Sequence, residues 1–208
     1  STTFAELAWP ELQRRGIATA RRVGAVVDGA EGCQTFLDWN CPQAIRILDF
    51  PHAAEYVTRI GQAPGPTGPL LAEADRDRLR HALKHTGPEP VLSELRALVA
   101  AHPTLPDLAE PLASLEKRVA QMQYPQFVAD GWPIGSGMVE SANKRVVEDR
   151  LKGAGMHWAS PNVNPLLALR NAVCNDRWAE GWPQLEAKQR RQQALRRTAC
   201  RPARAEPP

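Results

Sequence analysis

The chain of 208 residues is long enough for one domain, or for one domain that carries an insertion. Hydrophobic residues make up 43% and charged residues 24% of it, which excludes a disordered chain, and no apolar run approaches the ~18–20 residues of a membrane span. The four cysteines form no C-x-x-C pair. We therefore expect reduced thiols in a cytoplasmic protein that has no membrane partner.

Charge is distributed unevenly along the chain, whose formal net charge is +3. Residues 1–140 hold 13 Lys/Arg and 17 Asp/Glu, whereas residues 141–208 hold 13 and 6, so the two balances are −4 and +7. A basic half suits a polyanionic partner such as DNA. A merely solvated basic tail would give the same count, so both interpretations stay open at this point.

The first 60 residues predict alternating helices and strands. Apolar spacing and turn signals predict a helix over 3–22, a strand over 23–27, a helix over 31–39, a strand over 44–48 and a helix from Pro51. This order is typical of a layered α/β arrangement with at least two parallel strands. We therefore assign residues 1–60 to an α/β core.

The remainder of the chain is expected to be helical. Three Gly and three Pro in residues 61–69 predict a linker. Helical periodicity follows over 70–86, 90–101 and 105–123, then from a helix near Gly137, and again over 163–177. We interpret 61–130 as a helical insertion, 131–185 as a return to the core, and 186–208 as a basic tail that starts helical and ends disordered.

Two carboxylates occur in sequence contexts that suit metal ligands. Asp28 ends the apolar run 23–27 and precedes Gly29, so it would lie at a sheet edge. Glu140 follows a Gly-Ser-Gly turn that leads into a predicted helix. If the fold brings both together, about 4–8 Å apart, they can hold a hard divalent cation for nuclease or strand-transfer chemistry. Alternatively, Asp28 is an ordinary turn residue and Glu140 an ordinary ion-pair partner of Lys144.

Further polar residues accompany these two carboxylates. Asp49 repeats the strand-end pattern after the second predicted strand, and His52 would face the same way from the first turn of the next helix. Both are possible accessory residues, although a histidine that caps local backbone is the simpler interpretation of the second. Arg145, Arg150 and Lys152 follow the glutamate on the same element and could bind DNA phosphates.

Four segments together share their pattern with a known family. They are residues 28–30, 47–56, 134–141 and 150–158, of which the last two read Ile-Gly-Ser-Gly-Met-Val-Glu-Ser and Arg-Leu-Lys-Gly-Ala-Gly-Met-His-Trp. They resemble the C-terminal half of a bacterial insertion-sequence transposase of the DDE class, in the Kra-type group that is distantly similar to Mutator-like elements. The resemblance covers about residues 23–178.

The resemblance implies an incomplete RNase H-like α/β core, with few parallel strands and flanking helices, that carries a helical insertion in a helix-dominated chain. Asp28 would be the second catalytic aspartate and Glu140 the final glutamate, and both would bind Mg²⁺ or Mn²⁺. Asp49 and His52 would match an Asp-x-x-His element. The metals would activate a water, and then a DNA 3′-hydroxyl, for attack on a phosphodiester. The implied partners are insertion-sequence ends, target DNA and further copies of the intact protein.

The sequence departs from the family at the first catalytic aspartate, which the family carries on an earlier strand. No Asp precedes position 28, so we expect a truncated or split transposase that is inactive alone. Gly32 also replaces a residue that tends to be a bulky aromatic in the family. Two alternatives remain, a non-catalytic DNA-binding remnant and a helical interaction module, and whether Asp28 and Glu140 meet distinguishes them from a transposase.

Overall fold

The computed structural model describes residues 2–66 and 68–199, most of which are helical, and the chain divides after Ser136 into two compact units. In the first unit the elements are α1 (Thr2–Arg14), β1 (Gly24–Val27), α2 (Glu31–Asn40), β2 (Ile45–Leu48), α3 (Phe50–Gln62), β3 (Pro64–Gly65), β4 (Gly68–Pro69), α4 (Glu73–His85), α5 (Pro88–Ala101), α6 (Ala109–Glu116) and α7 (Tyr124–Ala129). None of the described helices is long and apolar enough to cross a bilayer.

The strands β1 and β2 pair in parallel, with Gly24 opposite Ile45 and Val27 opposite Leu48. The helix α2 connects them, because parallel strands need a crossover rather than a tight turn. β-branched side chains favour these strands. Gly24 is required where it lies, because a Cβ at this position would come within 2.7 Å of the Trp132 ring. The predicted order of helix, strand, helix, strand and helix is therefore confirmed, and the chain as a whole is helix-dominated with a few short strands.

The first helix is shorter than the sequence predicts. It ends at Arg14 rather than near residue 22, because Gly16 adopts the left-handed conformation with φ of 81°. The backbone N–H of Gly16 donates to the carbonyl of Gln13 at 2.9 Å, and a single 3₁₀ turn, Ile17–Thr19, follows. A glycine in this conformation is a common way to end a helix.

Two further segments differ from their predictions. The segment 61–69 is not a free linker, since α3 runs to Gln62 and the short strands β3 and β4 pair antiparallel. The predicted helix over 105–123 is divided into a 3₁₀ turn at Pro106–Leu108, the helix α6 and a second 3₁₀ turn at Val119–Met122. The second break lies at Arg118, whose dihedrals (φ −119°, ψ 22°) leave the helical region.

One large hydrophobic core joins the second strand to the helices of residues 50–129. Its fully buried members include Ile47, Leu48, Val57, Ile60, Leu79, Leu83, Leu92, Leu95, Leu115, Met122 and Tyr124. Each buried Leu, Ile or Val side chain stabilises the fold by about 1.5–3 kcal/mol relative to an exposed one. A smaller cluster around Leu37, Cys41 and Ala44 packs α2 against the first helix. The predicted boundary at residue 60 between a core and a helical insertion stays a prediction.

The second unit contains α8 (Gly137–Asn143), a π-helical turn (Lys144–Glu148), α9 (Asp149–Leu151), α10 (Ser160–Cys174) and α11 (Trp178–Ala199). Not one of its described residues is buried. The predicted helix near Gly137 and the helical start of the tail are confirmed. The predicted disordered end of the tail lies outside the described residues.

Candidate functional site

The aspartates Asp28 and Asp49 directly follow the two paired strands. Because Val27 lies opposite Leu48, both aspartates leave the sheet at the same edge. The backbone N–H of Asp49 donates to the carbonyl of Val27 at 2.8 Å, which continues the ladder to this edge. The carboxyl ends of parallel strands are where ligands bind in open α/β sheets. We call Asp28, Asp49 and His52, together with the backbone N–H of Ser136, the strand-end site.

Asp49 is the structural anchor of the strand-end site, because its side chain is only 1% exposed. Its Oδ1 accepts a hydrogen bond from the backbone N–H of Ser136 at 2.6 Å, and its Oδ2 lies 2.5 Å from His52 Nδ1. A second bond joins the same segments, from the N–H of Phe50 to the carbonyl of Ile134 at 2.9 Å. A buried carboxylate requires such partners. Asp49 therefore fixes the start of the Gly-Ser-Gly turn at the strand ends.

His52 lies on the first turn of α3, and its ring is 43% exposed. Because Nδ1 faces the Asp49 carboxylate, we assign the proton to Nδ1, and Nε2 is then the nitrogen left to accept a proton or a ligand. Next to it, His52, Glu55, Tyr56 and Arg59 line a small polar cavity of about 140 Å³. The pair can thus present an oriented imidazole to solvent.

Asp28 differs from Asp49 because it is exposed. Its Oδ1 accepts a hydrogen bond from the backbone N–H of Ala30 at 2.9 Å, which is a typical Asx turn. Within the described residues, the other carboxylate oxygen, Oδ2, forms no hydrogen bond. Asp28 is therefore held in place through one oxygen and offers the second to a ligand.

A buried arginine holds the loop between Asp28 and α2. The guanidinium of Arg118 donates to the carbonyl of Gly29, to Ser114 O at 3.0 Å and to Glu31 Oε1 at 3.2 Å. Lys117 Nζ lies 2.7 Å from the same Glu31 oxygen, and this hydrogen bond lowers the pKa of Glu31. The loop is thus fixed by a residue that lies almost ninety positions later in the chain.

Two uncharged groups lie close to the aspartates. Tyr124 is fully buried and donates its hydroxyl to the carbonyl of Leu48 at 2.9 Å. Burial, and then the charge of Asp49, raise the pKa of Tyr124, so it stays protonated. Burial, and then the charge of Asp28, raise the pKa of the Cys33 thiol. Neither group is therefore activated as a nucleophile.

The remaining predicted site residues belong to the second unit. Glu140 is exposed on α8, and Arg145, Arg150 and Lys152 are exposed on the π-helical turn and just beyond it. Lys152 Nζ pairs with Glu148 at 3.3 Å, as its i,i+4 spacing predicts. π-Helical turns are rare and occur frequently at functional sites. The expected separation of about 4–8 Å between the Asp28 and Glu140 carboxylates stays a prediction.

The side chains of the strand-end site suit a hard cation that is bound weakly through few protein ligands, rather than a cation whose ligands all come from the protein. Among residues 2–66 and 68–199, no group of three or more His, Cys, Asp or Glu could hold a metal ion. Mg²⁺ often needs only one or two carboxylates, with waters and substrate phosphates as its other ligands. Asp28, with one oxygen open, fits that role, whereas both oxygens of Asp49 already have partners.

Sequence reasoning missed three participants: the Ser136 N–H, Tyr124 and Arg118. Each acts on a strand end that lies 76 to 89 residues away in the chain. No local pattern encodes such long-range contacts. The one available signal was the Gly-Ser-Gly sequence around Ser136, since glycines allow the backbone to approach another group closely.

Comparison with protein-family models gave no match, and searches of curated proteins and of solved structures likewise found no significant similarity.

Proposed function

We propose that this chain is part of the catalytic domain of a DDE transposase, with an RNase H-like core, that uses carboxylate-bound Mg²⁺ or Mn²⁺ to cleave and join DNA strands. The supporting observation is the bond from the Ser136 N–H to Asp49, at the carboxyl ends of the parallel strands. This bond holds the Gly-Ser-Gly turn, which precedes Glu140, beside the carboxyl ends of β1 and β2. Asp28 directly follows β1.

In this proposal Asp28 and Glu140 are the metal ligands, and Asp49 is a positioning residue. Glu140 lies four residues after Ser136, so the covalent chain keeps their Cα atoms within about 14 Å of each other. The metals would lower the pKa of a bound water and stabilise the charge that develops on the attacked phosphate. Arg145, Arg150 and Lys152 would bind phosphates beside the scissile bond.

A third carboxylate has a place to enter beside Asp28. The carbonyls of Val23 and Val27 accept hydrogen bonds from the segment of β2. Successive residues of a strand direct their backbone N–H and C=O groups to alternate sides, so those of Gly24 and Val26 point to the opposite edge of β1. Within the described residues, β1 pairs only with β2. A further strand at this open edge could carry a carboxylate next to Asp28, and open edges readily accept such strands.

Metal binding tests the proposal directly. Mn²⁺ titration followed by electron paramagnetic resonance should reveal weak binding that Asp28→Asn and Glu140→Gln each reduce. Asp149→Asn, which removes another exposed carboxylate of the second unit, is the matched control and should leave the binding unchanged. Equal binding in all four proteins would contradict the assignment of the ligands.

We expect no strand cleavage by this chain, because two carboxylates orient the metal ions less well than three. Incubation with insertion-sequence-end DNA and Mg²⁺ or Mn²⁺ tests this expectation. Specific cleavage that disappears in Glu140→Gln would support the chemistry but would contradict the expectation that the chain is inactive without the family's first aspartate. In that case Asp49 would be the first candidate for the third ligand.

The chain should also bind duplex DNA with an affinity that falls steeply as salt increases, because phosphate contacts release counterions. Replacing Arg150 and Lys152 with alanine should lower the affinity and flatten the salt slope by up to about two units. Arg14→Ala with Arg15→Ala, which removes two exposed arginines at the C-terminal end of α1 and just after it, is the control. Deletion of residues 187–208 should lower affinity without changing any preference for insertion-sequence ends. Equal losses of DNA affinity in the Arg150/Lys152 and Arg14/Arg15 double variants would mean that no specific basic surface exists.

One observation favours a different function, a helical interaction module. In the second unit Trp178 and Trp182 stack at 4.8 Å and remain 40% and 46% exposed. They line an apolar groove of about 700 Å³ together with Leu169, Ala172 and Leu185. Exposed aromatic groups beside a groove are typical of protein-binding surfaces. Absence of DNA binding even at about 50 mM salt would favour this alternative.

A further inference from the structure

Two histidines lie side by side on the outer face of α4, away from the strand-end site. His81 and His85 are four residues apart and both are exposed. Their ring centroids are 4.4 Å apart, with an angle of 35° between the ring planes. His81 follows the buried Leu79 by two residues, and His85 follows the buried Leu83 by two. Two residues of an α-helix correspond to a rotation of about 200°, so each histidine lies nearly opposite its leucine. The two imidazoles therefore project together from the solvent-facing side.

We propose that His81 and His85 form a surface chelate site for a borderline divalent transition-metal ion such as Zn²⁺, Ni²⁺ or Cu²⁺. Two histidines at i and i+4 on one helix face can share one such ion, since each imidazole nitrogen bonds at about 2.0–2.1 Å. Neutral imidazole suits these metals rather than Mg²⁺, which prefers oxygen ligands. The site is therefore independent of the proposed transposase chemistry.

The charged side chains around the histidines are engaged with other groups. Both terminal nitrogens of Arg78 bond to Glu94 at 2.8 Å, Arg80 pairs with Asp77, and Lys84 Nζ lies 5.7 Å from the centre of the Phe50 ring. The helix α4 ends at His85, so the negative end of its dipole favours a bound cation. These features reduce the repulsion that a cation would otherwise meet on a basic helix.

The chemistry of the site is expected to be structural and not hydrolytic. The sequence between the histidines is Ala-Leu-Lys, so the glutamate that serves as general base in H-E-x-x-H metalloproteases is replaced by alanine. Water would complete the coordination sphere, and the ion would link the last two turns of α4. Binding to the folded state alone would then stabilise the protein by mass action.

Isothermal titration with Ni²⁺ at pH 7.5 tests the proposal. We expect one ion per chain, tighter binding of Cu²⁺ than of Ni²⁺ or Zn²⁺, and no competition from excess Mg²⁺. His81→Ala and His85→Ala should each weaken binding by about tenfold or more, since one imidazole remains.

His157→Ala removes another exposed histidine, from the second unit, and is the matched control that should leave Ni²⁺ binding unchanged. Amide hydrogen exchange gives a second measurement, in which Ni²⁺ should slow exchange in the last turn of α4 in the wild type but not in His81→Ala. Circular dichroism checks that the variants keep their fold. Ni²⁺ binding that survives both alanine substitutions, or no binding at millimolar Ni²⁺, would overturn the proposal.

Discussion

Asp49 shows how one side chain can join a strand end to a distant turn. It was expected to be an accessory residue beside Asp28, and the structure gives both of its carboxylate oxygens protein partners, His52 and Ser136. Removing a buried carboxylate costs more than the net value of its hydrogen bonds, because its partners then lose their own bonds. The exposed Asp28 carries no such cost. Substitution of Asp49 should therefore cost much more stability than substitution of Asp28.

We predict that Asp49→Ala lowers the free energy of unfolding by about 2–4 kcal/mol, because the Ser136 N–H and His52 Nδ1 lose their partner. Asp28→Ala is the matched control and should change it by less than about 1 kcal/mol. Urea denaturation measures both, and faster exchange of the Ser136 amide in Asp49→Ala would locate the change. Equal losses in the two variants would contradict the anchoring role of Asp49.

Tyr124 gives a pH-dependent prediction. In the unfolded chain a tyrosine ionises near pH 10, whereas burial and the nearby Asp49 charge raise the pKa of Tyr124 in the folded state. A raised folded-state pKa contributes stability that is fully present below pH 10 and is lost as the pH rises above it. Tyr124→Phe lacks this contribution, and at pH 7 it leaves the carbonyl of Leu48 without its hydroxyl partner.

We therefore expect Tyr124→Phe to be less stable than the wild type by about 1–2 kcal/mol at pH 7. Between pH 7 and pH 11 this difference in the free energy of unfolding should shrink by about 1.4 kcal/mol, because only the wild type carries a tyrosine at position 124 that ionises on unfolding. Denaturation curves at several pH values between 7 and 11 measure it. A difference that stays constant with pH would show that Tyr124 ionises normally.

The loop between β1 and α2 links the sheet edge to the helical part of the first unit. Gly29 has a φ of 84°, and a Cβ there would lie 2.8 Å from Arg118 Nε and 3.0 Å from Leu48 Cδ1. Gly32, three residues later on α2, has no positive φ, and a Cβ added there would meet no atom within 4 Å. The two glycines of one connection therefore have different constraints.

Gly29→Ala should destabilise the protein by about 1–3 kcal/mol, because both the backbone conformation and the contact with Arg118 oppose a side chain. Gly32→Ala should stabilise it by about 0.5–1 kcal/mol, since alanine favours the helix. Chemical denaturation of the two single variants gives both signs in one experiment. A stabilising Gly29→Ala would mean that the loop relaxes easily and that Arg118 does not fix it.

Elements with strong local signals were predictable from sequence, and the contacts that join them were not. The limits of β1, α2 and β2 and the start of α3 were predicted within about two residues, because apolar periodicity and Pro51 encode them locally. The end of α1 depends on the conformation of one glycine, Gly16, and the break after α6 on the long-range bonds of Arg118. At the candidate site, sequence indicated the carboxylates but not which of them would be buried.

The distribution of burial separates the two units of the chain. Every buried residue of the two hydrophobic cores lies before position 128, the partly buried residues that pack against them extend to Ile134, and the described part of the second unit contributes none. The helices α8 to α11 therefore lack the packing that normally offsets the entropy lost on folding. Local stability should follow this distribution rather than helix length.

The helices α3 and α10 provide a matched comparison for amide hydrogen exchange in the whole chain, because they have 13 and 15 residues. α3 contains four buried residues, Ala53, Val57, Ile60 and Gly61, whereas α10 contains none. We predict that α3 exchanges only through global unfolding, while α10 exchanges through local opening at a free energy near zero.

Equal protection of both helices at all protein concentrations would contradict the prediction. Protection of α10 that rises with protein concentration would show that a second copy covers it, and protection that appears only with duplex DNA would support the proposed nucleic-acid partner.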